Sequence, residues 1–161
     1  MLKRILAVLQ AIERLLTPAR TFVVDIGVVA GGAGYAAELR AEGTRLRVRS
    51  VWFSKPSVQV TLRLIKASSG SSGGTSTRGT VVAMQGGGGA DNRVLLFTAA
   101  PTAGAAIGDV FEMVIAATDN VEVVFGDNGT QPLELTGTEA LGINVSAAAT
   151  IVGRIVFEEL P

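Results

Sequence analysis

The side chains that could do chemistry in this chain are carboxylates, arginines, lysines and serines, because its 161 residues include no histidine and no cysteine. That composition removes imidazole as acid, base or metal ligand, thiolate as nucleophile, and any ordinary zinc site. Glu112, Glu122, Glu158 and Glu159 are the carboxylates from which a glycosidase-type pair would be built. Glu158 and Glu159 are adjacent in a strand-like segment, so they leave on opposite faces and cannot pair with each other. The serines have neither a G-x-S-x-G elbow nor a histidine base. A Ser–Lys arrangement around Ser54, Lys55 and Ser57 is the remaining nucleophilic option. No catalytic residue, cofactor site or metal site is expected.

Two glycine-rich stretches invite a ligand reading and do not sustain it. The glycines at 86–89 lack the GK[ST] ending of a phosphate loop, and no helical pattern follows them. Asp127-Asn128-Gly129 lacks the spaced acids and closing glutamate of a calcium loop and reads as a turn. Arg45, Arg47 and Arg49 alternate along a strand-like segment, which puts them on one face. Such a ladder suits an acidic partner surface or a phosphate backbone, or else a solvated face paired with cross-strand carboxylates. Aromatic residues are only 5% of the chain, so base- or sugar-stacking platforms are not expected.

Net charge is zero, but it is unevenly spread. Residues 1–80 hold 12 Lys/Arg against 4 Asp/Glu, or +8, and residues 81–161 hold 2 against 10, or −8. Either the halves interleave and cancel locally, or opposite ends of neighbouring copies attract. Neither nucleic acid nor a membrane is an expected partner. The absence of cysteine gives no sign of an oxidising compartment, and Gln10, Glu13 and Arg14 interrupt the only signal-like apolar run.

Positioning falls to two kinds of element. Residues 2–16 are rich in helix formers, and Pro18 closes the segment after Thr17. Leu2, Ile5, Leu9, Ile12 and Leu16 step by 3, 4, 3 and 4, the spacing of an a/d seam. Leu at a with Ile at d favours more than two strands. The seam serves self-association on a symmetry axis, docking on the chain's own body or on another protein, or a membrane surface. Lys3, Arg4 and Arg14 are few for the membrane option.

From Thr21 the apolar period becomes two. Strands are expected at 21–29, 44–53, 57–66, 80–84, 93–98, 110–116, 121–125, 133–135, 141–145 and 150–158, punctuated by Gly, Pro, Asn and Asp. Segments 44–53 and 57–66 read as a hairpin around Ser54-Lys55-Pro56, with Leu46, Val48 and Trp52 on one face. The Ser/Gly run 68–74 reads as a flexible loop. The fold class is therefore all-β: a jelly-roll-like antiparallel β-sandwich of about nine strands over 19–161, preceded by one amphipathic helical arm over 1–18.

Three stretches then look familiar in order: KPSVQVTLRLIKASSGSSGGTST (55–77), TAAPTAG (98–104) and LELTGTEALGINVSAAATIVGRIVFEE (133–159). Together they resemble small β-sandwich virion proteins of tailed bacteriophages, over roughly residues 44–159. The wider family often carries Trp before its final acidic pair, where Phe157 stands here. The resemblance implies a non-enzymatic structural protein on the capsid surface, assembled in the host cytoplasm. It implies a head decoration (cement) protein that binds the major capsid protein or another virion protein as a homotrimer. The alternative is a fibre-like module binding a cell-surface ligand. The seam Leu2, Ile5, Leu9, Ile12 and Leu16 is the expected subunit or capsid interface, and Arg45, Arg47 and Arg49 an electrostatic contact.

Overall fold

A computed structural model describes residues 4–6, 8, 9, 12, 20–31, 34–54, 56–84, 93–99, 101–126 and 131–161. Leu2, Leu16, Lys55, the glycines at 86–89 and Asp127-Asn128-Gly129 lie outside the described residues.

Among the described residues twelve strands follow in chain order: β1 (Arg20–Gly31), β2 (Gly34–Arg40), β3 (Arg45–Ser54), β4 (Val60–Ala67), β5 (Thr75–Arg78), β6 (Thr80–Ala83), β7 (Val94–Ala99), β8 (Ala106–Ile115), β9 (Asn120–Val124), β10 (Leu133–Thr136), β11 (Ala140–Val145) and β12 (Ala149–Leu160). They form two antiparallel sheets. Sheet A runs β10-β3-β12-β1-β6, with β9 also paired to β3, and sheet B runs β5-β7-β2-β11-β4-β8. Eight positions in this order make a jelly roll: β1, β12, β3 and β9/β10 in one sheet, and β2, β11, β4 and β8 in the other. The pairs β1–β12, β2–β11, β3–β9/β10 and β4–β8 are the rungs of one long hairpin wrapped into a sandwich. The insertion between β4 and β8 adds β6 to sheet A beside β1, and β7 and β5 to sheet B beside β2.

Period-two patterning explains the core. In β12, Ile151, Ile155 and Phe157 point inward while Val152, Arg154 and Glu158 point outward. Phe22 of β1 and Phe157 stack with ring centres 5.4 Å apart, and Phe53, Leu46, Leu62, Leu64, Leu135 and Ile143 complete the shared interior. Each such side chain contributes about 1.5–3 kcal/mol on burial, before entropy costs.

Three expectations need correction. Segments 44–53 and 57–66 do not form a hairpin. β3 pairs with β12, β9 and β10 in sheet A, whereas β4 pairs with β11 and β8 in sheet B, so the connection around Pro56 crosses between sheets. Trp52 does not share a face with Leu46 and Val48. The β3–β12 register slips between Val48 and Ser50, leaving Arg49 as a bulge, after which Val51 and Phe53 point inward and Trp52 outward. Twelve strands stand among the described residues, against ten expected segments and a sandwich of about nine: the two that no segment covers are β2 (GYAAELR), rich in residues with little β-propensity, and β5 (TSTR), wholly polar and exposed.

Candidate functional site on the outer face of sheet A and the N-terminal helix

Sheet register sets the outer face of sheet A. Arg47 of β3 lies between Glu134 of β10 and Glu158 of β12, and Trp52 lies between Glu122 of β9 and Arg154 of β12. The arginine ladder is occupied by the chain itself. Arg45 Nη2 is 3.0 Å from Glu134 Oε2, Arg47 Nη2 is 2.7 Å from Glu134 Oε1, and Arg49 Nη2 is 2.9 Å from Glu158 Oε1. Hydrogen bonds from Arg47 and then Arg45 hold the Glu134 carboxyl below the usual carboxylate range.

Pairing of the same kind offsets much of the charge asymmetry among the described residues. Beside the ladder, Asp25 meets Arg154 at 2.9 Å, Lys66 meets Glu139 at 3.0 Å, and Arg63 meets both Asp109 and Glu112. The Lys66 and Arg63 pairs, like the ladder, join a cation of the first half to a carboxylate of the second, so among the described residues a large part of the +8 and −8 asymmetry is offset across the strands.

Between the charged rows runs an apolar one. Val82 of β6 faces Val23 of β1, Val23 faces Val156 of β12, Val156 faces Ser50 of β3, and Ser50 faces Val124 of β9. Val82 is 57% and Val124 41% exposed, with Val23 and Val156 half-buried. At Ser50, the one small residue in the row, a recess of about 340 Å³ opens among Ser50, Trp52, Glu122, Arg154 and Val156. Glu122 is exposed and has no ion-pair partner among the described residues.

Sheet B treats its outer face differently. Tyr35, Leu95 and Phe97 form a second buried cluster there, packed with Ile65. Glu38, beside them, is buried, and the Ser/Gly loop 68–74 fastens over it: Ser71 donates its N–H to Glu38, and Arg40 donates to the Ser71 carbonyl at 2.6 Å. A depression of about 570 Å³ beside this loop is lined by Arg40, Glu42, Gly43, Ser69, Gly70, Gly137 and Thr138. Its only guanidinium, that of Arg40, is already held by Glu38 and Ser71.

At the other end of the chain, residues 4–6, 8, 9 and 12 are helical. Ile5, Leu6, Val8, Leu9 and Ile12 are 45–58% exposed. At 100° per residue these five fall within one arc of about 160°, and Arg4 borders it. Of the expected seam, then, the structure places Ile5, Leu9 and Ile12 together, uncovered by the described residues. Glu158 and Glu159 point to opposite faces, toward Arg49 and Arg93 respectively. No group of three or more acidic side chains converges on a metal-sized site among the described residues, and no described helix is long and apolar enough to cross a membrane. Sequence reading does not find the valine row: its members sit in five strands, and only the pairing aligns them.

No protein-family model, curated protein or solved structure matches this chain.

Proposed function

We propose that the chain is a non-enzymatic virion structural protein: a capsid decoration protein that binds the shell lattice of a tailed phage as a homotrimer. The observation that carries this reading is the apolar helical surface of Ile5, Leu6, Val8, Leu9 and Ile12, about half exposed at every position. An isolated helix this short is marginal in water, so its apolar arc requires an external cover. A jelly roll whose charged side chains are largely neutralised within the chain supports work by shape and contact area. Stabilising a lattice needs many equivalent contacts, each acting by mass action, and no reactive group.

The test uses phage heads assembled from the genome that encodes this chain, with its gene deleted. Purified chain added to such heads is expected to pellet with them, saturate in multiples of three, and raise their heat resistance. Chain that stays in the supernatant at saturating concentration overturns the reading.

A further inference from the structure

We propose that the N-terminal helical segment of one copy lies along the valine row on sheet A of a second copy. The contact presupposes that the helix is an assembly arm, as above, and names what it seats on.

Four observations carry it. One chain presents two apolar surfaces that its described residues leave uncovered: the arc Ile5, Leu9 and Ile12, and the row Val82, Val23, Val156 and Val124. Exposed apolar surface of this kind on one molecule marks a contact site. On sheet B the loop 68–74 fastens over the β2 side, and the exposed apolar residues Ile107, Met113 and Val114 follow one edge strand, β8, whereas on sheet A the apolar residues align in a row across strands.

The dimensions agree. Ile5 and Ile12 are seven positions apart, about 10.5 Å at the helical rise. Two strand spacings, from β12 across β3 to β9, are about 9.6 Å. A helix laid along the row puts Ile5 and Ile12 over Val156 and Val124 in one direction or the other. Leu9 then stands over Ser50, where the recess receives a branched side chain.

Charge agrees as well. Glu122 beside the recess and Arg4 beside the apolar arc are both exposed and without ion-pair partners among the described residues. An arm seated on a neighbour's sheet joins two different surfaces, a heterologous contact, which closes into a ring where the rotation between copies closes.

The chain has no cysteine, so introduced pairs report without background. Leu9→Cys with Ser50→Cys, oxidised in the full chain, is expected to convert most of the protein into interchain-linked species up to a closed ring. Each single variant is expected to remain unlinked. Neither site is in the core, and strand circular dichroism checks the fold of every variant. As a second measurement, Val124→Asp is expected to abolish assembly while leaving the strand circular dichroism of the subunit unchanged.

Linking in Leu9→Cys alone means that helices pair with helices; it overturns the seat on sheet A but leaves the assembly reading standing. A disulfide within one chain overturns the second copy as occupant. A double variant that assembles but does not link overturns the contact, and a chain that never assembles overturns the assembly reading itself.

Discussion

The carboxylate of Glu38 receives the backbone N–H of Ser71 on both oxygens, at 3.1 and 3.0 Å, across 33 positions of sequence. Arg40 closes the group, donating to Glu38 Oε1 at 2.5 Å and to the Ser71 carbonyl at 2.6 Å. A Ser/Gly run that composition marks as a flexible loop is thereby fastened to the middle of a strand. Glu38→Ala leaves Arg40 and the Ser71 N–H without their acceptor, and breaking such a buried pair costs about 3–5 kcal/mol. Urea unfolding is expected to show that loss, with a smaller one for Glu38→Gln, which keeps one acceptor oxygen.

Gly142 sits in the middle of β11 with the Tyr35 ring against it. A Cβ built there would stand 2.1 Å from Tyr35 Cε1. Gly142→Ala must therefore displace the ring and is expected to cost about 1–3 kcal/mol by overpacking. Pairing it with Tyr35→Ala should relieve the clash, and a double-mutant cycle in denaturant measures that coupling.

Glu134 provides a pH test. Its carboxyl is lowered by Arg47 and Arg45, so the folded state binds its proton more weakly than the unfolded chain does. Its contribution is fully present above the unfolded carboxylate value of about 4.3 and is lost as pH falls through the lowered folded value. Glu134→Gln is expected to destabilise at pH 7 by about 1 kcal/mol or less, since the pair is partly exposed. The gap between variant and parent should close on acidification below pH 4 and narrow in 1 M salt. Thermal melts across pH 2–7 check it.

From the sheet's own charge pairing, the ladder is expected to be a poor grip for phosphate. Arg45, Arg47 and Arg49 already hold Glu134 and Glu158. Double-stranded DNA added at low salt is expected to show no saturable binding beyond that of Arg47→Ala, measured by fluorescence anisotropy.

The all-β class was legible because most strands alternate cleanly: β4 reads Val60, Leu62, Leu64 inward against Thr61 and Arg63 outward. The jelly-roll order was less so, because it depends on which strands pair, and pairing leaves no trace in a strand's own alternation. The sheet change at Pro56 illustrates this, since two well-patterned neighbours invite a hairpin that does not form. Trp52 was misplaced because the bulge at Arg49 flips the parity of every later residue in β3. β2 was missed because Ala36 and Ala37 are buried for their small volume, not for β-propensity. For the site, the spacing of Ile5, Leu9 and Ile12 was readable from one short segment. The valine row was not, because it runs across strands instead of along one.

The most direct test is the mass of the full chain in solution by light scattering, beside the variant carrying Leu9→Asp and Ile12→Asp. Burying a carboxylate in an apolar contact is prohibitive, and both positions are exposed in the single subunit, so the change acts on assembly and not on the fold. The expected result is three times the 16.5 kDa chain mass for the parent and 16.5 kDa for the variant, with identical strand circular dichroism. A parent that stays at the single-chain mass at high concentration, or a variant that keeps the parent's mass, contradicts the account.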